Sequence, residues 1–289
     1  MNPAPSVIIF SVLSGAGFGL LAMLGFGAVV PAGWLAFAWW GLGYALAVAG
    51  LLAATFHLGN PKNAIKAFSQ WRSSWLSREA WAAVATLAVL APQALSDWLG
   101  LGWPRMIGQA GGALALFTVC TTAMIYAQIR AVPRWHDWTT PALFVGFAVT
   151  GGMILSGQAM AVWACAGMVG LLMVAFWRGD GRFAVAGVTL GSAIGLGGIG
   201  KVSVFEQPHT GGNYLLREMI YVVGRKHARR LRVIAVLCAG IIPGLVLMLP
   251  LGWVGTGGAA IIHLTGAFAA RWLFFAQAEH VVGLYYGKR

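Results

Sequence analysis

The sequence predicts an all-α fold: a polytopic membrane protein, a bundle of eight transmembrane helices with both termini cytoplasmic. Three observations carry that prediction. Of 289 residues 59% are hydrophobic and only 9% charged, apolar runs of spanning length recur, and the cations gather in alternate connections. Soluble domains carry about 25% charged residues, so the composition excludes that class. The whole chain, 1–289, reads as one transmembrane domain, with 178–231 as a cytoplasmic loop region within it.

The elements follow in order, each with close to the ~20 apolar residues a span requires. The first segment, 6–30, lacks a basic n-region and a small-residue cleavage site, and is expected to be a retained helix. The second, 34–56, stops at His57-Leu58-Gly59-Asn60-Pro61, where Gly suits a left-handed cap and Pro resists continuation. Ser77-Arg78-Glu79 opens the third, 80–98, with Ser77 as the expected N-cap and an acid near the positive end of the helix dipole. The fourth is 106–128. The fifth and sixth, 140–157 and 160–177, share one apolar run divided near Ser156-Gly157-Gln158. Segments 232–252 and 257–277 complete the set. The stretch from Ala184 to Gly200 is rich in glycine, which contributes little transfer energy and weakens a helix, so it is expected to be interfacial or loop.

Seventeen of the 19 Lys and Arg residues fall in the connections 2–3, 4–5 and 6–7 or at the C-terminus. The positive-inside rule then assigns these to the cytoplasm. The net charge of +12 follows from that asymmetry and from anionic headgroups, which removes the case for a nucleic-acid partner. Cys120, Cys165 and Cys238 are isolated in apolar runs, so neither a zinc nor an iron–sulfur site is expected from this chain alone.

Candidate chemistry concentrates at the cytoplasmic boundary. His57 ends helix 2 and Glu79 begins helix 3, an antiparallel neighbour, so both lie at the same membrane face. An imidazole and a carboxyl group there can exchange protons with a lipid-soluble quinone, whose reduction consumes two protons. The plainer alternatives are a His capping helix carbonyls and an acid placed by the dipole. Trp71 and Trp75 could flank a planar ring, and Arg72, Gln70 or Asn60 could hydrogen-bond its carbonyls. Arg271, Glu279 and His280 form a polar end to helix 8, either an interfacial snorkelling anchor or lining of the same cavity. A haem held by His57 and His280 is the weaker redox reading, and no haem is expected.

Taken together, His57-Leu-Gly-Asn-Pro61, Leu76-Ser-Arg-Glu79, Ile125-Tyr126 with Val132-Pro-Arg-Trp135, and the segment Tyr214 to Arg232 resemble the DmsC-like family. These are membrane-anchor subunits of dimethyl-sulfoxide-reductase-type molybdenum enzymes. The resemblance implies an eight-helix bundle holding an iron–sulfur subunit and a molybdopterin catalytic subunit on the cytoplasmic face. Molybdopterin and iron–sulfur clusters would then sit only in those partners, and quinone (ubiquinone or menaquinone) would be the ligand of this chain. The family's quinol-site His and Glu fall on His57 and Glu79. The long loop 6–7, with Pro208-His-Thr-Gly211, looks more like anchors of the sulfite-dehydrogenase type. The expectation is a quinone-reactive anchor in the bacterial inner membrane that reduces quinone with electrons from sulfite. The alternatives are an anchor oxidising menaquinol for a dimethyl sulfoxide reductase, or a purely structural anchor.

Overall fold

Hydrocarbon offers no hydrogen-bond partners, so apolar runs of this length satisfy their backbone internally as helices. The computed structural model describes residues 1–57, 61–206, 209, 211–220 and 226–287, without the side chains of His57, Pro61 and Lys62. Its helices are α1 (Pro5–Phe26), α2 (Gly33–Ala53), α3 (Trp75–Leu99), α4 (Met106–Ala127), α5 (Thr139–Leu155), α6 (Ala161–Val185), α7 (Leu190–Ile194), α8 (Ala228–Val236), α9 (Ile242–Leu247) and α10 (Gly252–Ala276). A π turn, Leu237–Ile241, joins α8 and α9 into one rod, Ala228–Leu247. Among the described residues there is no strand. Every expected segment is helical. Among the described residues seven helices are long and apolar enough to cross a membrane, and α5, with 17 residues, is shorter.

α1 runs through the centre, packed on α2, α4, α5 and α10. Small residues permit the close approach, as is usual where lipid supplies no hydrophobic drive between helices. A Cβ at Gly19 would lie 1.9 Å from the Ala148 carbonyl oxygen of α5, and one at Gly17 would lie 2.3 Å from the Ala47 nitrogen of α2. α3 packs on α4 and α2 at one side, while α6, the α8–α9 rod and α10 close the other. His263 of α10 is buried, and its Nδ1 pairs with the Ala239 carbonyl in the π turn at 2.7 Å.

Several boundaries differ from expectation for identifiable reasons. α3 starts at Trp75, so Ser77 is inside the first turn and is not the cap; its hydroxyl accepts the Gln70 N–H instead. α6 continues to Val185, well past 177, because its polar end is tied down: Arg178 and Arg182 reach Asp137 in the α4–α5 loop. The helix therefore extends through Val185, beyond the end expected at 177. Beyond it lie the short α7 and mostly exposed turns, as expected for the glycine-rich stretch. Of the segment Tyr214–Arg232, the described parts are a π turn, Leu215–Met219, residues 226–227 and the start of α8; 221–225 lie outside the described residues, as do Pro208 and Thr210.

One face of the bundle gathers the N-terminus, the connections 2–3, 4–5 and 6–7, and the C-terminal segment. The Met1 ammonium donates to the Ala278 carbonyl at 3.0 Å, Asn2 N–H to Glu218 at 2.8 Å, and Val281 N–H to Ala131 at 2.9 Å. This is the basic face. At the opposite face Asp97 accepts from Arg105 (2.9 Å), Gln93 (3.0 Å) and Trp40 (3.1 Å).

Candidate functional site

α3 leaves the basic face at Trp75 and α4 returns to it at Ala127. At 1.5 Å per residue, Glu79 and Thr122 therefore sit at matching depth, roughly 6–8 Å inside the helix ends. Glu79 is only 4% exposed, and its carboxyl group accepts the Thr122 hydroxyl across the α3–α4 contact. Thr122 also donates toward the Thr118 carbonyl, and Thr118 meets Thr86 at 2.9 Å, which extends the polar seam between the helices. A carboxyl group held at such depth must have its remaining oxygen capacity met by a proton or a ligand, because hydrocarbon meets neither.

One helical turn beyond Thr122 stands Tyr126, within electrostatic range of both Glu79 and Arg271. Its ring is boxed by Trp135 (5.4 Å), Phe274 (5.4 Å), Phe275 (5.6 Å) and Phe144 (5.7 Å). Trp135 is fixed by stacking on Phe274 and by donating its indole N–H to the Phe274 carbonyl at 2.9 Å. The Arg271 guanidinium is 3% exposed and lies 3.3 Å over the Phe144 ring, a cation–π contact in a desolvated setting. The snorkelling reading of Arg271 is thereby overturned: α10 continues five residues past it, and the side chain turns inward among Phe144 and Phe147.

The other sequence-predicted residues divide differently. Trp71 and Arg72 are exposed on the basic face, and Arg72 covers the Trp71 ring at 5.3 Å. Trp75 is partly buried with the Arg78 guanidinium 4.4 Å over its ring. Arg78 also donates to the Trp71 and Arg72 carbonyls, so it organises this loop. The two indoles carry guanidinium groups on their faces, and Glu79 points away from them into the bundle. His57 ends the short 3₁₀ turn Ala54–His57 after α2, while its side chain and Leu58, Gly59 and Asn60 lie outside the described residues. His280 serves locally, its Nδ1 accepting the Val282 N–H at 3.0 Å.

Sequence reasoning does not single out Thr122, Tyr126 and Phe144 as site residues. Depth counting narrows the first two to the last turns of α4, since α3 enters where α4 leaves, but rotation about the helix axis selects them.

A charged belt caps the site. Asp137 takes Arg178 at 2.9 Å, Arg182 at 3.2 Å and the Thr139 N–H at 3.0 Å. Burial alone would push its carboxyl group up, but the Arg178 and Thr139 hydrogen bonds outweigh that and hold it below the usual range. Asp180 is shared between Arg134 and Arg232, the latter at 2.7 Å, and this links the α4–α5 loop, α6 and α8.

Residues 1–177 match the family model described as DMSO reductase anchor subunit (DmsC). The chain is also 31% identical to a sulfite dehydrogenase subunit of Allochromatium vinosum, across 99% of this chain and 99% of that protein. The half of the chain that the family model matches contains Glu79, Thr122, Tyr126 and Phe144, the core of the buried polar constellation. The chain is a membrane protein and belongs to the DMSO reductase anchor subunit family.

Proposed function

We propose that this chain is the quinone-reactive anchor of a molybdenum and iron–sulfur oxidoreductase, passing electrons from a partner iron–sulfur subunit to the membrane quinone pool. The observation that carries the reading is Glu79, a carboxyl group buried inside the helix ends and held by Thr122. Such a group is suited to proton delivery and has little structural reason to be in hydrocarbon. In this reading all eight helical segments span the bacterial inner membrane and the basic face is cytoplasmic, in accord with the charge asymmetry. The iron–sulfur and molybdopterin subunits dock on that face.

The name of the Allochromatium relative supports sulfite as the electron source. Oxidation of sulfite with water to sulfate releases two electrons and two protons at the catalytic partner, and reduction of quinone to quinol consumes two of each. The protein's own contribution is to hold the quinone ring near His57 and Glu79, to exclude water, and to deliver protons to the ring oxygens through those two groups. Trp71, Trp75 and Arg72 line the loop through which the site meets the partner. The test is the assembled complex carrying His57→Ala. Loss of quinone reduction with retained dye-linked sulfite oxidation supports the assignment, and wild-type quinone turnover removes it.

A further inference from the structure

Next to Glu79, α4 carries Thr118, Thr121 and Thr122, all three buried. A buried hydroxyl must find an acceptor, and in a helix the nearest is a carbonyl about one turn back. The Thr118 hydroxyl donates to the Leu114 carbonyl at 2.9 Å and meets the Thr86 hydroxyl, so it is committed elsewhere. The other two hydroxyls converge on one atom. Thr121 Oγ1 lies 2.7 Å from the Thr118 carbonyl oxygen, and Thr122 Oγ1 lies 3.1 Å from the same oxygen. That oxygen also accepts the Thr122 backbone N–H in the regular ladder of α4. A carbonyl oxygen has two lone pairs, and here three donors contend for them. The helical N–H and the closer Thr121 hydroxyl fill both. The Thr122 hydroxyl is left with its second acceptor, the Glu79 carboxyl group across the α3–α4 contact.

We infer that Thr121 is a positioning residue for the proton-delivering carboxyl group: by occupying the Thr118 carbonyl it turns the Thr122 hydroxyl onto Glu79 and keeps it there. Its own hydrogen bond ends on Thr118, so it acts on Glu79 through Thr122. The need for it follows from the chemistry of delivery. In each turnover Glu79 alternates between a carboxylate and a carboxylic acid. The carboxylate binds a donor roughly twice as strongly as a neutral acceptor does, and would hold the Thr122 hydroxyl unaided. The neutral acid is an acceptor no better than a backbone carbonyl. In that state an open Thr118 carbonyl would draw the hydroxyl away, and an occupied one does not. The acid is the form that donates, so the hydroxyl is most firmly directed in the state where the carboxyl group must face the ring oxygen. Orientation fixed before reaction is what makes a proton donor effective.

This inference rests on the quinone-reactive reading, and the experiment separates the two. Complexes with their partner subunits are assayed in vesicles with decylubiquinone. Each rate is divided by the rate with a dye that takes electrons directly from the partners, which counts assembled complexes. Thr121→Val keeps the branched shape and deletes the hydroxyl. It is expected to lower kcat by about three- to tenfold, the range that one redirected hydrogen bond commands, with KM unchanged. Thr121→Ser restores the hydroxyl and the rate. Thr122→Val lowers kcat by itself, and adding Thr121→Val to it lowers kcat no further, because the hydroxyl to be steered is gone. In the redox-induced infrared difference spectrum, the C=O stretch of protonated Glu79, identified by its loss in Glu79→Gln, moves to higher frequency in Thr121→Val. Wild-type kcat in Thr121→Val overturns the inference. So does an equal fold-loss from Thr121→Val with and without the Thr122 hydroxyl, which would make Thr121 a packing residue only. If Thr121→Val does not assemble, Thr121→Ala takes its place, and wild-type kcat there overturns the inference equally. A wild-type complex that passes electrons to the dye but never to decylubiquinone would instead defeat the quinone-reactive reading itself.

Discussion

Replacing Gly19 by alanine tests the packing that holds the site elements together. The added methyl would sit 1.9 Å from the Ala148 carbonyl oxygen, where ordinary contact begins at 3.4 Å, so α1 and α5 must part by about 1.5 Å. The obstacle is backbone on both sides, which no rotamer change relieves. Overpacking of this kind costs about 1–3 kcal/mol, and the better helix propensity of alanine returns at most about 1 kcal/mol. A net loss of roughly 1–2 kcal/mol is expected. Gly170 of α6 provides the control, since a Cβ there meets nothing within 4 Å and Gly170→Ala should be neutral or slightly stabilising. Unfolding of the detergent-solubilised protein, followed by helical circular dichroism against dodecyl sulfate mole fraction, gives both values. A Gly19→Ala protein as stable as Gly170→Ala would refute the claim that these backbones are in contact.

Glu79→Gln keeps the shape and can still accept the Thr122 hydroxyl, so assembly should be normal while quinone turnover falls by about 100-fold or more; an unchanged rate would exclude Glu79 from proton delivery. Thr122→Val strips the buried carboxyl group of its donor and should destabilise the fold by about 1–3 kcal/mol in the same unfolding assay. Asp97→Ala leaves Arg105 and two further donors without their acceptor at the opposite face, a loss of about 3 kcal/mol. Because the folded Asp137 carboxyl group titrates below its unfolded value, its stabilising contribution is complete above about pH 4–5 and disappears as pH falls through the lower, folded value. The stability gap between wild type and Asp137→Asn should therefore be flat from pH 6 to 8 and close only in acid; a gap that closes near neutrality would contradict the Asp137–Arg178 assignment.

Helix existence was legible because each span must satisfy its own backbone, and hydropathy records that need directly. Helix ends were less legible where a polar extension is stabilised from elsewhere: nothing local announces that Arg178 and Arg182 will find Asp137 some 40 residues earlier in sequence. Glu79 could be singled out because a lone acid at a helix start stands out in an apolar chain. Its actual partner could not be read off, since Thr122 is one of several threonines in α4 and only depth and rotation select it. Arg271 misled for a related reason. Five residues from a helix end, a long cation can reach water or turn inward, and the choice is set by Phe144 and Phe147 on a different helix.

The π turn at Leu237–Ile241 has a mechanical consequence. It carries one residue more than a regular turn, so it resets the angular register between the two halves of the α8–α9 rod. The lower half aims Arg232 at Asp180, and the turn itself offers the Ala239 carbonyl to His263 deep in the bundle. Deleting one residue there would rotate one half by about 100° against the other. The rod could then keep its ionic clasp at the surface or its imidazole latch in the interior, but not both at once.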